Sequence, residues 1–90
     1  MITAIVLAEA QRDLVNETAE ALAALPGITE VYSIAGEYDL AVIVRVKTNE
    51  ELADFVTNHI RKQEGIVKTT TFIAFRAYSR YDLEHFFDFD

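Results

Sequence analysis

The chain has no cysteine, which excludes a disulfide framework, a thiolate metal site and cysteine nucleophilic catalysis. No apolar run approaches the ~18 residues of a membrane span, and the first residues lack the basic stretch of a signal peptide. No serine sits in a nucleophile elbow, and there is no G-x-x-x-x-G-K phosphate loop. Positive charge is scarce too. Eight Lys and Arg face fifteen Asp and Glu, a net charge of −7 that opposes approach to phosphate backbones. The expectation is a cytoplasmic protein with no nucleic-acid or membrane partner and no cofactor. The one proline and three glycines fall at breaks between periodic segments.

What is present is apolar. With 51% hydrophobic residues in 90, the chain is too apolar for disorder and sized for one small domain. A domain this small buries only roughly 60–70% of its unfolded surface, so it benefits from partners. The charge is uneven. Residues 81–90 hold Asp82, Glu84, Asp88 and Asp90 with no Lys or Arg, a charge of −4, which leaves −7 + 4 = −3 for residues 1–80.

Residues 2–8 form a β-rich run apolar on both sides, as a strand covered on both sides would be. Over 13–25 the period lengthens: Leu14, Thr18, Ala21, Leu22 and Leu25 make one helical stripe, which Pro26-Gly27 ends. Residues 28–35 and 40–46 read as strands joined by the turn Gly36-Glu37-Tyr38-Asp39, a hairpin. Thr48-Asn49-Glu50-Glu51 is a capping box, and the helix behind it carries Leu52, Phe55, Val56, His59 and Ile60 on one stripe. After Gly65, residues 66–77 read as a long strand.

The order βαββαβ contains an echo: helix end, Gly-Ile and strand at Gly27-Ile28, then again at Gly65-Ile66. Two such halves make an α+β, ferredoxin-like fold, a four-stranded antiparallel sheet with two helices on one face. The other face would then be bare yet apolar, more than a soluble monomer tolerates. A sheet-to-sheet dimer is expected, the rival cover being the chain's own aromatic tail. Residues 1–77 are read as the domain and 78–90 as an aromatic and acidic tail, whose Phe86, Phe87 and Phe89 are expected to pack on this chain or a neighbouring one.

No catalytic or metal constellation stands out. His59 reads as a core or rim residue, and His85, among Asp82, Glu84 and Asp88, as part of a solvated acidic segment. The turn residues Gly36, Tyr38 and Asp39 have two readings. They make a tight turn in which Asp39 bonds nearby amides, or they offer amides, a phenol and a carboxylate to a small zwitterion. Lys68-Thr69-Thr70-Thr71 likewise is a run of ordinary strand residues or the lining of a polar cleft at a subunit edge.

Leu25-Pro26-Gly27-Ile28, Gly36-Glu37-Tyr38-Asp39 and Gly65-Ile66 followed by Thr69 and Thr71 together resemble the C-terminal effector domain of Lrp/AsnC transcriptional regulators, the RAM domain. The resemblance covers about residues 2–77. It implies a ferredoxin-like sandwich that dimerises through its sheets, dimers that assemble into rings, and a small effector, typically an amino acid, bound between dimers. Carried over to this chain, the ligand contacts are Gly36, Tyr38, Asp39, Thr69 and Thr71. Asp39 would meet an α-ammonium, and turn amides and Thr hydroxyls an α-carboxylate. Family regulators carry a helix-turn-helix domain before this one, and only Met1 precedes Ile2 here. The expectation is thus a stand-alone effector-binding and oligomerisation module, acting alone or by mixing with full-length regulators. The alternative is a small dimeric α+β barrel enzyme, monooxygenase-like or isomerase-like, with His59 its one candidate group inside the body.

Overall fold

The alternation and period changes along the chain resolve into six main elements in the computed structural model, which describes residues 1–78 and 80. They are β1 (Ile2–Ala10), α1 (Val15–Ala23), β2 (Ile28–Ser33), β3 (Leu40–Val46), α2 (Asn49–Phe55) and β4 (Ile66–Ala74). The expected packing of Phe86, Phe87 and Phe89 lies outside the described residues. The sheet order is β2-β3-β1-β4 with every neighbour antiparallel. This is the ferredoxin-like fold that two βαβ halves dictate.

The core lies between one sheet face and the helices. Ala4, Val6 and Ala8 of β1 and Leu40, Val42 and Val44 of β3 are fully buried, in one cluster with Leu22 of α1 and Leu52 and Phe55 of α2. Directly opposed residues project to the same face. The register therefore sorts β4 as well: Thr69, Thr71 and Ile73 oppose Ala8, Val6 and Ala4 on the helix side, while Thr70 and Phe72 oppose Leu7 and Ile5 on the open side. That open side is apolar, with Ile5, Tyr32 and Phe72 at 38%, 48% and 53% exposure.

Three details depart from periodicity. A 3-10 turn, Arg12–Leu14, precedes α1, and the helix turns Val15 and Ala19 toward the core while leaving Ala21 exposed. The capping box forms in a variant way. The Thr48 hydroxyl accepts from the Glu51 amide at 3.1 Å, and the Glu51 carboxylate reaches past Thr48 to accept from the Lys47 amide at 3.1 Å. Beyond Phe55 the helix widens into a π-helical turn, Val56–Ile60, in which the Arg61 amide donates to the Val56 carbonyl five residues back. The wider turn keeps Ile60 fully buried and rotates His59 off the stripe into solvent.

Candidate functional site

The segment 34–39 between β2 and β3 is closed by the Ile34 amide donating to the Asp39 carbonyl at 2.9 Å. Asp39 then performs two tasks on β1. Its amide donates to the Ala8 carbonyl at 2.9 Å, prolonging the β1–β3 ladder, and its Oδ2 accepts from the Ala10 amide at 2.8 Å. The β1–β4 register shifts between Glu9 and Ala10, and the carboxylate meets the amide at that irregularity. The neighbouring Tyr38 hydroxyl stands 2.7 Å from Thr70 Oγ1 on β4. One hairpin is thereby fastened to two other strands at a single end of the sheet.

Of the five residues singled out in the sequence, Tyr38 and Asp39 come together here, both half-buried. Gly36 stands apart at the exposed tip, with nothing within 4 Å of where a Cβ would be. Thr69 is half-buried opposite Ala8, and Thr71 is exposed opposite Val6, both on the helix side. The threonine that meets Tyr38 is the one between them, Thr70, because neighbouring strand residues point to opposite faces.

Two cavities open at this end. One of about 370 Å³ is lined by Glu9, Gln11, Arg12, Glu37, Asp39 and Val67 among others. The other, about 460 Å³, is lined by Arg61, Ile66, Val67, Lys68 and Thr69. Val67 borders both. The first gathers three carboxylates against one guanidinium, and the second has two cations and no carboxylate. Glu9 and Lys68, one from each, oppose each other across β1 and β4. Opposite charges on two sides of one apolar residue suit a zwitterion, whose ammonium and carboxylate each form charge-assisted hydrogen bonds. The sequence reading did not single out Glu9 or Arg61, took Lys68 only as the start of the threonine run, and took Glu37 only as part of the turn. The available signal was the sign of charge at the strand ends.

His59 lies elsewhere. Its Nε2 is 4.0 Å from Asp54 Oδ2, its side chain is 51% exposed, and its ring centroid is 5.4 Å from that of Phe55. It borders an open cavity at the other end of the sheet, not a sealed pocket between helices and sheet. Among the described residues no three His, Asp or Glu side chains are grouped to hold a metal ion, and no helix is long and apolar enough to cross a membrane.

The sequence model of the Lrp/AsnC ligand binding domain matches residues 2–83. The uncharacterized HTH-type transcriptional regulator PH1916 of Pyrococcus horikoshii is 39% identical over 60 residues, 67% of this chain and 40% of that protein. The chain spans half or less of the length of the curated relatives it matches. TTHA0845 from Thermus thermophilus superposes with a TM-score of 0.82 at 50% identity, over 89% of this chain and 100% of that one. The transcriptional regulator NMB0573 of Neisseria meningitidis, solved as a complex with L-Met, has the same fold at a TM-score of 0.80 and 12% identity, over 88% of this chain and 53% of that one.

Proposed function

The chain belongs to the Lrp/AsnC ligand-binding domain family, and from that premise we propose that it is a non-catalytic effector-binding and oligomerisation module whose ligand is an amino acid. The observation that carries the reading is the setting of Asp39. One carboxylate oxygen is held by the Ala10 amide, so the group is fixed in place and its other oxygen is left for a ligand. The α-ammonium is received by Asp39 and Glu37, and the adjoining α-carboxylate by Lys68, which stands opposite Glu9 across β1 and β4. NMB0573, solved with L-Met, lends an analogy of fold; the charges around Asp39 carry the argument.

Two copies pack through the open sheet face, covering Ile5, Tyr32 and Phe72. Dimers then join at the hairpin ends, where Gly36 and Thr71 of neighbouring copies complete the ligand's surroundings. The module acts through this assembly.

A thermal-shift panel of the common amino acids tests the ligand. At ten times its Kd a binder adds RT ln 11, ~1.4 kcal/mol, and raises Tm by roughly 6–11 °C at ~4–8 °C per kcal/mol. Lys68→Gln, at an exposed position, keeps the ligand-free Tm and loses the shift, as does Asp39→Asn. No shift with any amino acid at millimolar concentration, or an undiminished shift in both variants, overturns the site. Sedimentation as a stable monomer of 10.2 kDa overturns the assembly.

A further inference from the structure

The basic cavity beside β4 holds more positive charge than one α-carboxylate uses, and its two cations come from different layers of the fold. Thr69 opposes Ala8, whose full burial marks the helix side, so the neighbouring Lys68, opposite Glu9, belongs to the open side. Arg61 arrives from the helix layer, at the end of the π-helical turn that prolongs α2. Val67 is the unpaired residue of β4 where the β1–β4 register shifts, and it is 57% exposed and borders both cavities.

The connection that carries Arg61 is held by its backbone. The Arg61 amide donates to the Val56 carbonyl at 2.9 Å, the Gln63 amide to the Ile60 carbonyl at 3.1 Å and the Ile66 amide to the Gln63 carbonyl at 3.0 Å. The guanidinium is therefore launched from a fixed point, although the residue is exposed. Among the described residues the one ion pair is His59–Asp54, and no carboxylate lines the cavity that Arg61 borders.

Resting on the amino-acid reading above, we infer that the ligand carries a second carboxylate, so that this chain selects an acidic amino acid, aspartate or glutamate. Asp39 and Glu37 hold the α-ammonium, and Lys68 holds the α-carboxylate on the open side. The ligand's methylene groups cover Val67, and its terminal carboxylate meets Arg61 and the Thr69 hydroxyl on the helix side. A guanidinium offers five N–H donors and no acceptor, which suits a carboxylate because that group only accepts. A carboxamide brings an NH2 group to donors that cannot receive it. An aliphatic side chain leaves Arg61 without a partner, and a lysine side chain sets ammonium against guanidinium. The acidic cavity makes no comparable demand for a second cation, since Arg12 already shares it with the three carboxylates.

Isothermal titration with L-glutamate, L-glutamine, L-aspartate, L-asparagine, L-leucine and L-lysine tests the selection. Each acid binds on the order of fivefold tighter than its own amide, the upper range for an exposed ion pair, and added NaCl narrows the gap. Arg61→Gln, at an exposed position, keeps the ligand-free Tm and erases the gap by weakening the acids alone. Arg61→Lys keeps part of it, because the charge survives the loss of the planar fork. Lys68→Gln weakens acids and amides alike. Amides, leucine or lysine that bind as tightly as the acids, or an acid preference that survives Arg61→Gln, overturns this inference while leaving the amino-acid site in place. Absence of binding by all six overturns it as well, and the wider thermal-shift panel then decides the ligand reading separately.

Discussion

Gly65, just before β4, lies close against Leu14 and Thr18 of the first helical segment, and adding one methyl group there tests the packing. A Cβ on Gly65 stands 1.9 Å from Thr18 Oγ1, 3.2 Å from Thr18 Cβ and 3.3 Å from Leu14 Cβ. Thr18 is buried at 4% exposure in α1, and the Gly65 carbonyl is held by the Gln11 amide at 2.8 Å, so neither side retreats freely. Gly65→Ala is therefore an overpacking change, in a class that costs ~1–3 kcal/mol. A central ~2 kcal/mol lowers Tm by roughly 8–16 °C for a domain of this size. Thr18→Ala removes the atom at 1.9 Å and alone costs ~1 kcal/mol, as loss of a small buried group does. In the double variant the severest clash is gone and only the tight approaches to the Cβ atoms of residue 18 and Leu14 remain, so the combined loss falls short of the sum by ~1 kcal/mol or more. Urea unfolding followed by circular dichroism, at one protein concentration because assembly shifts apparent stability, gives the four corners of the cycle. Additivity within ~0.3–0.5 kcal/mol, or a Gly65→Ala protein as stable as the parent, refutes the steric account.

Thr48→Ala deletes the side-chain acceptor of the α2 N-cap and costs ~1 kcal/mol, a Tm loss of roughly 4–8 °C. Thr48→Ser keeps the hydroxyl and most of the stability, and equal losses in thermal melts of the two variants contradict a capping role. On the open face the Tyr32 hydroxyl donates to Glu30 Oε2. That hydrogen bond, then desolvation and the Glu30 charge, raises the phenol above its ordinary value of 10.0. A raised value in the folded state stabilises below the unfolded phenol's pKa, and that contribution is lost as pH rises through the folded value. Glu30→Gln consequently lowers the Tyr32 ionisation midpoint in a near-ultraviolet absorbance titration; an unchanged or higher midpoint rules the pairing out.

The most legible parts of the fold are those whose pattern is local. Alternation over Leu40–Val46 delimits β3 to the residue, because Leu40, Val42 and Val44 must all enter one core. The capping box at Thr48 marks the start of α2 equally well. Legibility fades where a local pattern continues past its tertiary support. The β-rich run to residue 77 pairs only as far as Ala74, opposite Thr3 of β1, and Phe75 beyond it is 99% exposed. His59 follows the helical stripe in sequence, but the stripe presumes ~3.6 residues per turn, and the π-helical turn breaks that assumption. The echoed Gly-Ile pairs hide two causes. Gly27 has φ +99° with only ordinary contacts around its would-be Cβ, whereas Gly65 has no positive φ and is required by the approach of Thr18.

At the candidate site the same boundary between local and long-range information decides what could be read. Gly36-Glu37-Tyr38-Asp39 is a local turn signal, and Asp39 does bond a backbone amide, although the amide belongs to Ala10, 29 residues away. Which threonine meets Tyr38 depends on the β1–β4 register, and a one-residue change of register moves every side chain to the other face. Spacing alone cannot choose between Thr70 and the pair Thr69 and Thr71, because all three continue the strand equally well. The choice follows from long-range packing. Ala8, Val6 and Ala4 must face the helices, their partners Thr69, Thr71 and Ile73 go with them, and Thr70 is left on the side that Tyr38 reaches. Tyr38 and Thr70 therefore tie the hairpin to β4 from the open face, while Thr69 borders the basic cavity beside Lys68. A threonine run gives such a site both an anchor and a polar lining from adjacent residues, because a strand sends neighbouring hydroxyls to opposite sides.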